Sequence, residues 1–176
     1  MKRIVILLLL VATNALALEI EGVPFVRQES GFCGPASLAS VMTYHGAPTD
    51  QKTVAAAVYS EKLQGALITD LDRYARDAGF ETRSARGTEE GLKAEIDRGR
   101  PVIVLVDLGF WVVSKPHYLV VYGYDGEGFR AHDGYTPGNH YPYPRFAGIW
   151  EKMGNAYLLL YRNEGRELRG GGNKGK

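Results

Sequence analysis

The pattern of apolar and polar positions changes character near residue 101. Upstream of it apolar residues recur at helical spacing, and downstream they crowd into short continuous runs. From Cys33 onward Ala36, Ala39, Val41 and Met42 follow a helical period, with Gly46 as a natural stop. A second helix is predicted over "PTDQKTVAAAVY", with Thr49 or Asp50 as its cap. A third fits "ALITDLDRYARDAGF" and is closed by Gly79. A fourth fits "TEEGLKAEIDRG", capped by Thr88, with two glutamates in its first turn and Gly99 at its end. Ahead of them all, "VPFVRQ" reads as extended, because Pro24 forbids helix there. Ser30, Gly31 and Phe32 then make a turn.

Beyond Pro101 the runs are strands. "VIVLVDL" (102–108) is a buried strand by its β-branched content and length, "HYLVVYGYD" (117–125) a second and "FRAHD" (129–133) a third. Gly126-Glu127-Gly128 predicts a hairpin between the last two. "AYLLLY" (156–161) supplies a further strand and "GFETRSAR" a short one. The run "GYTPGNHYPYPRFAGIW" (134–150) reads as a Tyr- and Pro-rich loop ending in a helical turn near 146–150. There is no internal repeat, coiled-coil heptad or interdomain linker. Helices first and antiparallel strands after predict an α+β domain, with N-terminal helices packed on a C-terminal antiparallel sheet.

The two ends read differently from this body. Lys2 and Arg3 precede an apolar run from Ile4 to Ala12, and Ala15-Leu16-Ala17 has the small-x-small pattern of a cleavage site. The apolar stretch is too short and too interrupted, by Thr13 and Asn14, for the roughly 20 residues of a membrane span. Residues 1–17 are therefore expected to be a secretory signal, residues 18–162 one domain, and residues 163–176 a flexible, basic, Gly-rich tail. An exported protein is expected, periplasmic or extracellular, without a stable membrane span after cleavage. The formal net charge is +1, and the body without its basic ends is weakly acidic, which leaves no electrostatic footprint for nucleic acid.

Export sharpens the question posed by Cys33, the single cysteine. One cysteine cannot form an internal disulfide, and a lone thiol in an oxidising compartment is a liability. A small buried hydrophobe would be the plain reading. Its position at a helix start argues otherwise, since unpaired N–H groups and the macrodipole there favour a thiolate. Pro35 fits the first turn, where its missing N–H costs nothing.

A thiol nucleophile also needs an imidazole. His45 lies twelve residues along the same helix, roughly 18 Å away at 1.5 Å per residue, and is excluded; it would end the helix. His132 and His140 read as ordinary surface histidines. His117 follows Pro116 and begins an apolar strand, as either a base or a hydrogen-bonded core histidine. Asp133, 16 residues later, could orient it if the second strand twists or bulges toward the first, or could be a turn aspartate before Gly134. Asp125 lies some 26 Å along the extended strand from His117. His132, Asp133 and His140 match no metal-ligand spacing, so neither a metal nor another cofactor is expected. Trp111, within "LGFWVVSKP" (108–116), is either a cleft wall or part of an exposed connecting loop.

Gln-x4-Cys-Gly-Pro-Ala-x-Leu at 28–38, then "PHYLVVYGYD", then an Asp ending the next strand, resembles the bacteriocin-processing (double-glycine leader) cysteine peptidases, a papain-like family. The likeness runs from about residue 23 to residue 161. It implies a thiol peptidase in which Cys33 is the nucleophile, His117 the general base, Asp133 the residue orienting His117, and Gln28 a lining of the oxyanion hole. Two positions depart from the family pattern: Gln28 stands five residues before Cys33 where six is commoner, and Gly134 follows Asp133 where Pro is usual. The family's typical members are fused to a membrane transporter, whereas this chain reads as exported and free-standing. The implied partners are a peptide or protein substrate and an envelope or secretion-system component. Two competing readings are a catalytically silent, peptide-binding module of the cell envelope, and an acyl transferase of the transglutaminase or cell-wall amidase type.

Overall fold

The computed structural model describes residues 17–162. The expected tail and all but the last residue of the expected signal segment lie outside the described residues. Fourteen elements follow one another: β1 (Leu18–Glu19), α1 (Cys33–Tyr44), α2 (Gln51–Val58), β2 (Tyr59–Ser60), β3 (Gly65–Ala66), α3 (Ile68–Asp77), β4 (Glu81–Arg86), α4 (Glu89–Ile96), β5 (Val102–Asp107), β6 (Pro116–Tyr124), β7 (Gly128–His132), β8 (Asn139–Pro142), α5 (Tyr143–Glu151) and β9 (Ala156–Tyr161).

The caps explain the helix limits. The Asp50 carboxylate accepts the Lys52 and Thr53 N–H groups at the start of α2, and the Thr88 hydroxyl accepts that of Gly91 at the start of α4. Four helices end alike, with a main-chain N–H reaching back five residues: Ala47 to the Met42 oxygen, Phe80 to Ala75, Arg100 to Glu95 and Asn155 to Trp150. This bond satisfies a carbonyl that the helix itself leaves open.

The large sheet has the order β4-β9-β5-β6-β7-β8, with β1 added beside β6 where β5 ends. Every pairing in it is antiparallel. Strand β5 is central, and five of its six residues are buried, as its unbroken apolar run requires. Helix α1 packs on β6, α3 on β4 and β9, and α5 on β5, β7 and β8. The core is one continuous cluster, extended under α5 by Phe129, Phe146 and Trp150, whose ring N–H donates to the Ala156 oxygen at 2.9 Å. Among the described residues no helix is long and apolar enough to cross a membrane.

The structure corrects the sequence reading in one segment. Residues 139–142, expected to be loop, pair with β7 as the edge strand β8. The expected helical turn is the nine-residue helix α5, with Pro144 in its first turn, where proline is tolerated. The short pairs β1 and β2–β3 are also additions, set by contacts rather than by local pattern.

Candidate active site

Helix α1 and strand β6 meet at Cys33. The residue before it, Phe32, offers no side-chain cap, so the first-turn N–H groups of α1 are not claimed by a side chain. The main-chain amides of Tyr118, Gly34 and Cys33 itself lie near enough to the Cys33 sulfur to favour its thiolate. Tyr118 is also the residue that docks the strand on the helix. Its ring lies so close to Gly34 that a Cβ there would come within 3.2 Å, and its hydroxyl donates to the Ala66 oxygen at 3.0 Å. Burial pushes the Cys33 thiol up, and the amides and Lys115 pull against it without overcoming it.

The residue next to Tyr118 is His117, only 2% exposed. Its Nε2 lies 2.7 Å from the main-chain oxygen of Asp133. A carbonyl can only accept, so Nε2 carries the proton and Nδ1 is left as the free base. Tyr135 stacks on the imidazole at 5.5 Å and 11°. Burial holds His117 below its ordinary value, opposed by the carbonyl and the charge of Asp133.

Asp133 meets His117 through its backbone, because its carboxylate is spent on the turn that follows. Oδ1 accepts the N–H groups of Tyr135 at 2.8 Å and Thr136 at 2.6 Å. Oδ2 accepts from the Asn139 amide at 3.0 Å and the Tyr141 hydroxyl at 3.4 Å. Burial pushes this carboxyl up, but the Thr136, Asn139 and Tyr135 donors and His117 together hold it below the usual carboxylate range. A bulge between Val121 and Gly123 shifts the β6–β7 register, after which Val121 faces Ala131 and Val120 faces His132. Continued past β7, that register sets Tyr135 opposite His117.

Gln28 reaches the same turn from the N-terminal arm. Its N–H donates to the Gly134 oxygen at 2.9 Å, and its side chain lies where a Cβ on Gly134 would be, 2.6 Å from Oε1. Gly134 has φ +76°, which a proline ring cannot adopt. The Oε1 atom is buried and has no hydrogen-bond partner among the described residues.

Of the other histidines, His132 and His140 have partners for their side chains, while His45 Nε2 is buried without one among the described residues. His132 is buried, not at the surface: Nε2–H donates to the Val23 oxygen at 3.0 Å and Nδ1 accepts the Gly138 N–H at 3.1 Å. It ties the N-terminal arm to the sheet and has no nitrogen free. His140 lies 3.3 Å from an Asp125 oxygen, and His45 ends α1. Among the described residues no three His, Cys, Asp or Glu side chains are grouped to hold a metal ion. Sequence reasoning missed Tyr135, Asn139 and the Tyr118 amide. Asp-Gly-Tyr-Thr (133–136), an aspartate accepting N–H groups two and three residues on, is the one local pattern that pointed to this turn.

A thiol at the start of a helix that packs on the strand headed by a buried imidazole, with helices before an antiparallel sheet, is the layout of the papain-like cysteine peptidase class. The chain belongs to the Peptidase_C39 like family, whose model matches residues 20–158. Solved structures agree in fold. The peptidase domain of Streptococcus ComA, a bi-functional ABC transporter involved in quorum sensing, is 27% identical, with TM-score 0.68 over 80% of this chain and 99% of that one. A putative C39-like peptidase from Bacillus anthracis is 18% identical, with TM-score 0.70 over 84% and 98%. A double-glycine motif protease from an AMS/PCAT transporter, solved with its leader peptide, is 20% identical, with TM-score 0.63 over 84% and 99%. No match was found among curated proteins.

Proposed function

We propose that the chain is an exported thiol peptidase that hydrolyses a peptide bond in a peptide or protein substrate. The observation that carries the reading is the bond from His117 Nε2–H to the Asp133 oxygen, which leaves Nδ1 unprotonated beside the strand residue whose amide lies near the Cys33 sulfur. The family membership and the leader peptide bound to the transporter protease support a peptide as substrate. The charged, apolar and small-residue order of the first 17 residues supports export.

In this mechanism Nδ1 of His117 takes the Cys33 proton as the sulfur attacks the scissile carbonyl carbon. The carbonyl oxygen becomes an oxyanion, held by the Cys33 N–H and the Gln28 side-chain amide. Collapse breaks the C–N bond, and the proton on His117 passes to the leaving amine. Water, deprotonated by His117, then attacks the thioester and frees the acid and the thiol. Burial favours the neutral forms of both Cys33 and His117.

The test is covalent labelling by a peptidyl electrophile, read by intact mass. Wild type should gain one adduct and Cys33→Ala none, while His117→Ala should react at least about a hundredfold more slowly. Equal labelling of His117→Ala and wild type would sink the assignment.

A further inference from the structure

The turn joining β5 to β6 carries Phe110, Trp111, Val112 and Val113, which are 86, 90, 84 and 68% exposed. They are the most exposed large apolar side chains among the described residues. Their exposure is built. Asp107 Oδ1 accepts the N–H groups of Gly109 and Lys115, each at 2.7 Å, and Oδ2 accepts the Ser114 hydroxyl at 2.9 Å. The Val113 N–H closes on the Phe110 oxygen at 3.1 Å, and a Cβ at Gly109 would collide with the Val113 carbonyl. Trp111 has φ +56°, a left-handed conformation that a bulky residue adopts only against steric resistance.

The base of this tip is cationic. Lys115 closes it, and Lys152 lies near enough to help lower the Asp107 carboxyl, after the main-chain donors of Lys115 and Gly109. Both lysines are exposed. Three hydrogen bonds hold the Asp107 carboxylate within the turn, while the Lys115 ammonium lies 5.8 Å over the Tyr135 ring at the exposed base of the tip.

We propose that this tip docks the protein on a lipid bilayer bearing anionic headgroups, with Phe110, Trp111 and Val112 in the interfacial layer and Lys115 and Lys152 against the headgroups. An apolar tip ringed by lysines is the pattern of a side-chain group seated at a membrane interface. A tip of four residues is also far too small for the roughly 800 Å² that each partner commits to a stable protein interface. A soft medium accepts a narrow projection that is apolar on all sides, where a protein partner would need a matching pocket. Lys115 reaches over Tyr135, which stacks on His117, so docking brings the cleft to membrane-proximal peptides. That last consequence rests on the peptidase reading; the docking itself does not.

Trp111 is its own reporter, because the other tryptophan, Trp150, is only 2% exposed. The full chain is titrated with vesicles of phosphatidylcholine, with and without phosphatidylglycerol, carrying brominated acyl chains. On anionic vesicles the Trp111 emission should shift to the blue and be quenched, and Trp111→Phe should abolish that change. Phe110→Ser with Val112→Ser should weaken the titration by roughly tenfold or more, and Lys115→Ala with Lys152→Ala should reduce the preference for anionic vesicles, the basic tail supplying what is left. These variants keep residues 1–16, so a difference from wild type belongs to the tip. Cys33→Ala should titrate like wild type, which keeps a failure of the peptidase reading separate. Trp111 emission that stays unshifted and unquenched overturns the proposal, as does quenching that the paired serine substitutions leave unchanged.

Discussion

Replacing Asp133 with Asn separates its two halves. The main-chain oxygen that receives the His117 Nε2–H bond is untouched, and the new side chain has the old shape. Its amide oxygen can still accept the Tyr135 and Thr136 N–H groups. Its NH2 must then face the Asn139 amide, which also donates, in place of an oxygen that accepted at 3.0 Å. The loss is one charge-assisted hydrogen bond in a buried site, about 1.5–3 kcal/mol. For a domain of this size that lowers Tm by about 4–10 °C. Because His117 keeps its tautomer, the second-order rate of Cys33 modification by a peptidyl electrophile should fall less than about tenfold, the share owed to the missing charge. A triad whose orienting carboxylate is itself the imidazole's partner behaves otherwise, losing about 10⁴-fold on amidation through the wrong tautomer. The assay pairs that rate at pH 7 with thermal unfolding by circular dichroism. A rate loss of about 10³-fold or more at an unchanged Tm would refute the carbonyl-mediated arrangement.

Three further outcomes are expected. Tyr135→Ala removes a ring stacked on His117 and should slow Cys33 modification up to about tenfold, matching about 0.5–1.5 kcal/mol, while Tyr135→Phe should restore it; equal rates in both variants would argue against stacking as a positioning device. Gly134→Ala places a side chain at φ +76° and a Cβ against Gln28, so kcat for a cleaved peptide should fall about 10²-fold with KM little changed, and adding Gln28→Ala should cost little more; fully additive losses would show that Gly134 does not act through Gln28. For pH, burial lowers the folded-state values of His117, His132 and His45 below 6.5, so each binds a proton more readily when unfolded. Their contribution is complete above pH 6.5 and lost as pH falls through the folded values, and the depressed Asp133 adds a second loss below pH 3.8. Thermal melts should show Tm dropping from pH 6.5 downward; a flat Tm to pH 4 would contradict the buried neutral histidines.

Most of the architecture was legible because local chemistry and burial agree there. Of the four N-terminal helices α1, α3 and α4 carry their own glycine stops, and α2 and α4 their own caps, while β5, β6 and β9 are apolar runs of strand length. Strand β8 was not legible: "NHYP" has two poor strand formers in four residues, and only pairing with β7 orders it. The proline-rich start of α5 hid that helix, because Pro144 looks like a breaker unless the helix is known to begin at Tyr143. At the site, residue types at a helix start and a strand start pointed to Cys33 and His117. Which atom of Asp133 meets His117 depends on main-chain geometry, and so does the stacking of Tyr135. Neither is encoded in spacing.

The two departures from the family pattern are linked through that geometry. Gln28 stands one residue nearer to Cys33 than is common, so its arm is shorter, and its side chain comes to rest directly on residue 134. A proline at 134 would fill the space Gln28 occupies and could not take φ +76°; a glycine leaves both free. The same φ turns the chain so that the Asp133 oxygen faces His117 while the Asp133 carboxylate gathers the Tyr135 and Thr136 amides. In this chain the short arm and the glycine fit together, and the turn that makes room for Gln28 also presents the oxygen that accepts the His117 Nε2–H bond. The buried, unpartnered Gln28 oxygen is an acceptor turned toward residue 134, so a bond to an oxyanion has to come from the NH2 group of the same amide.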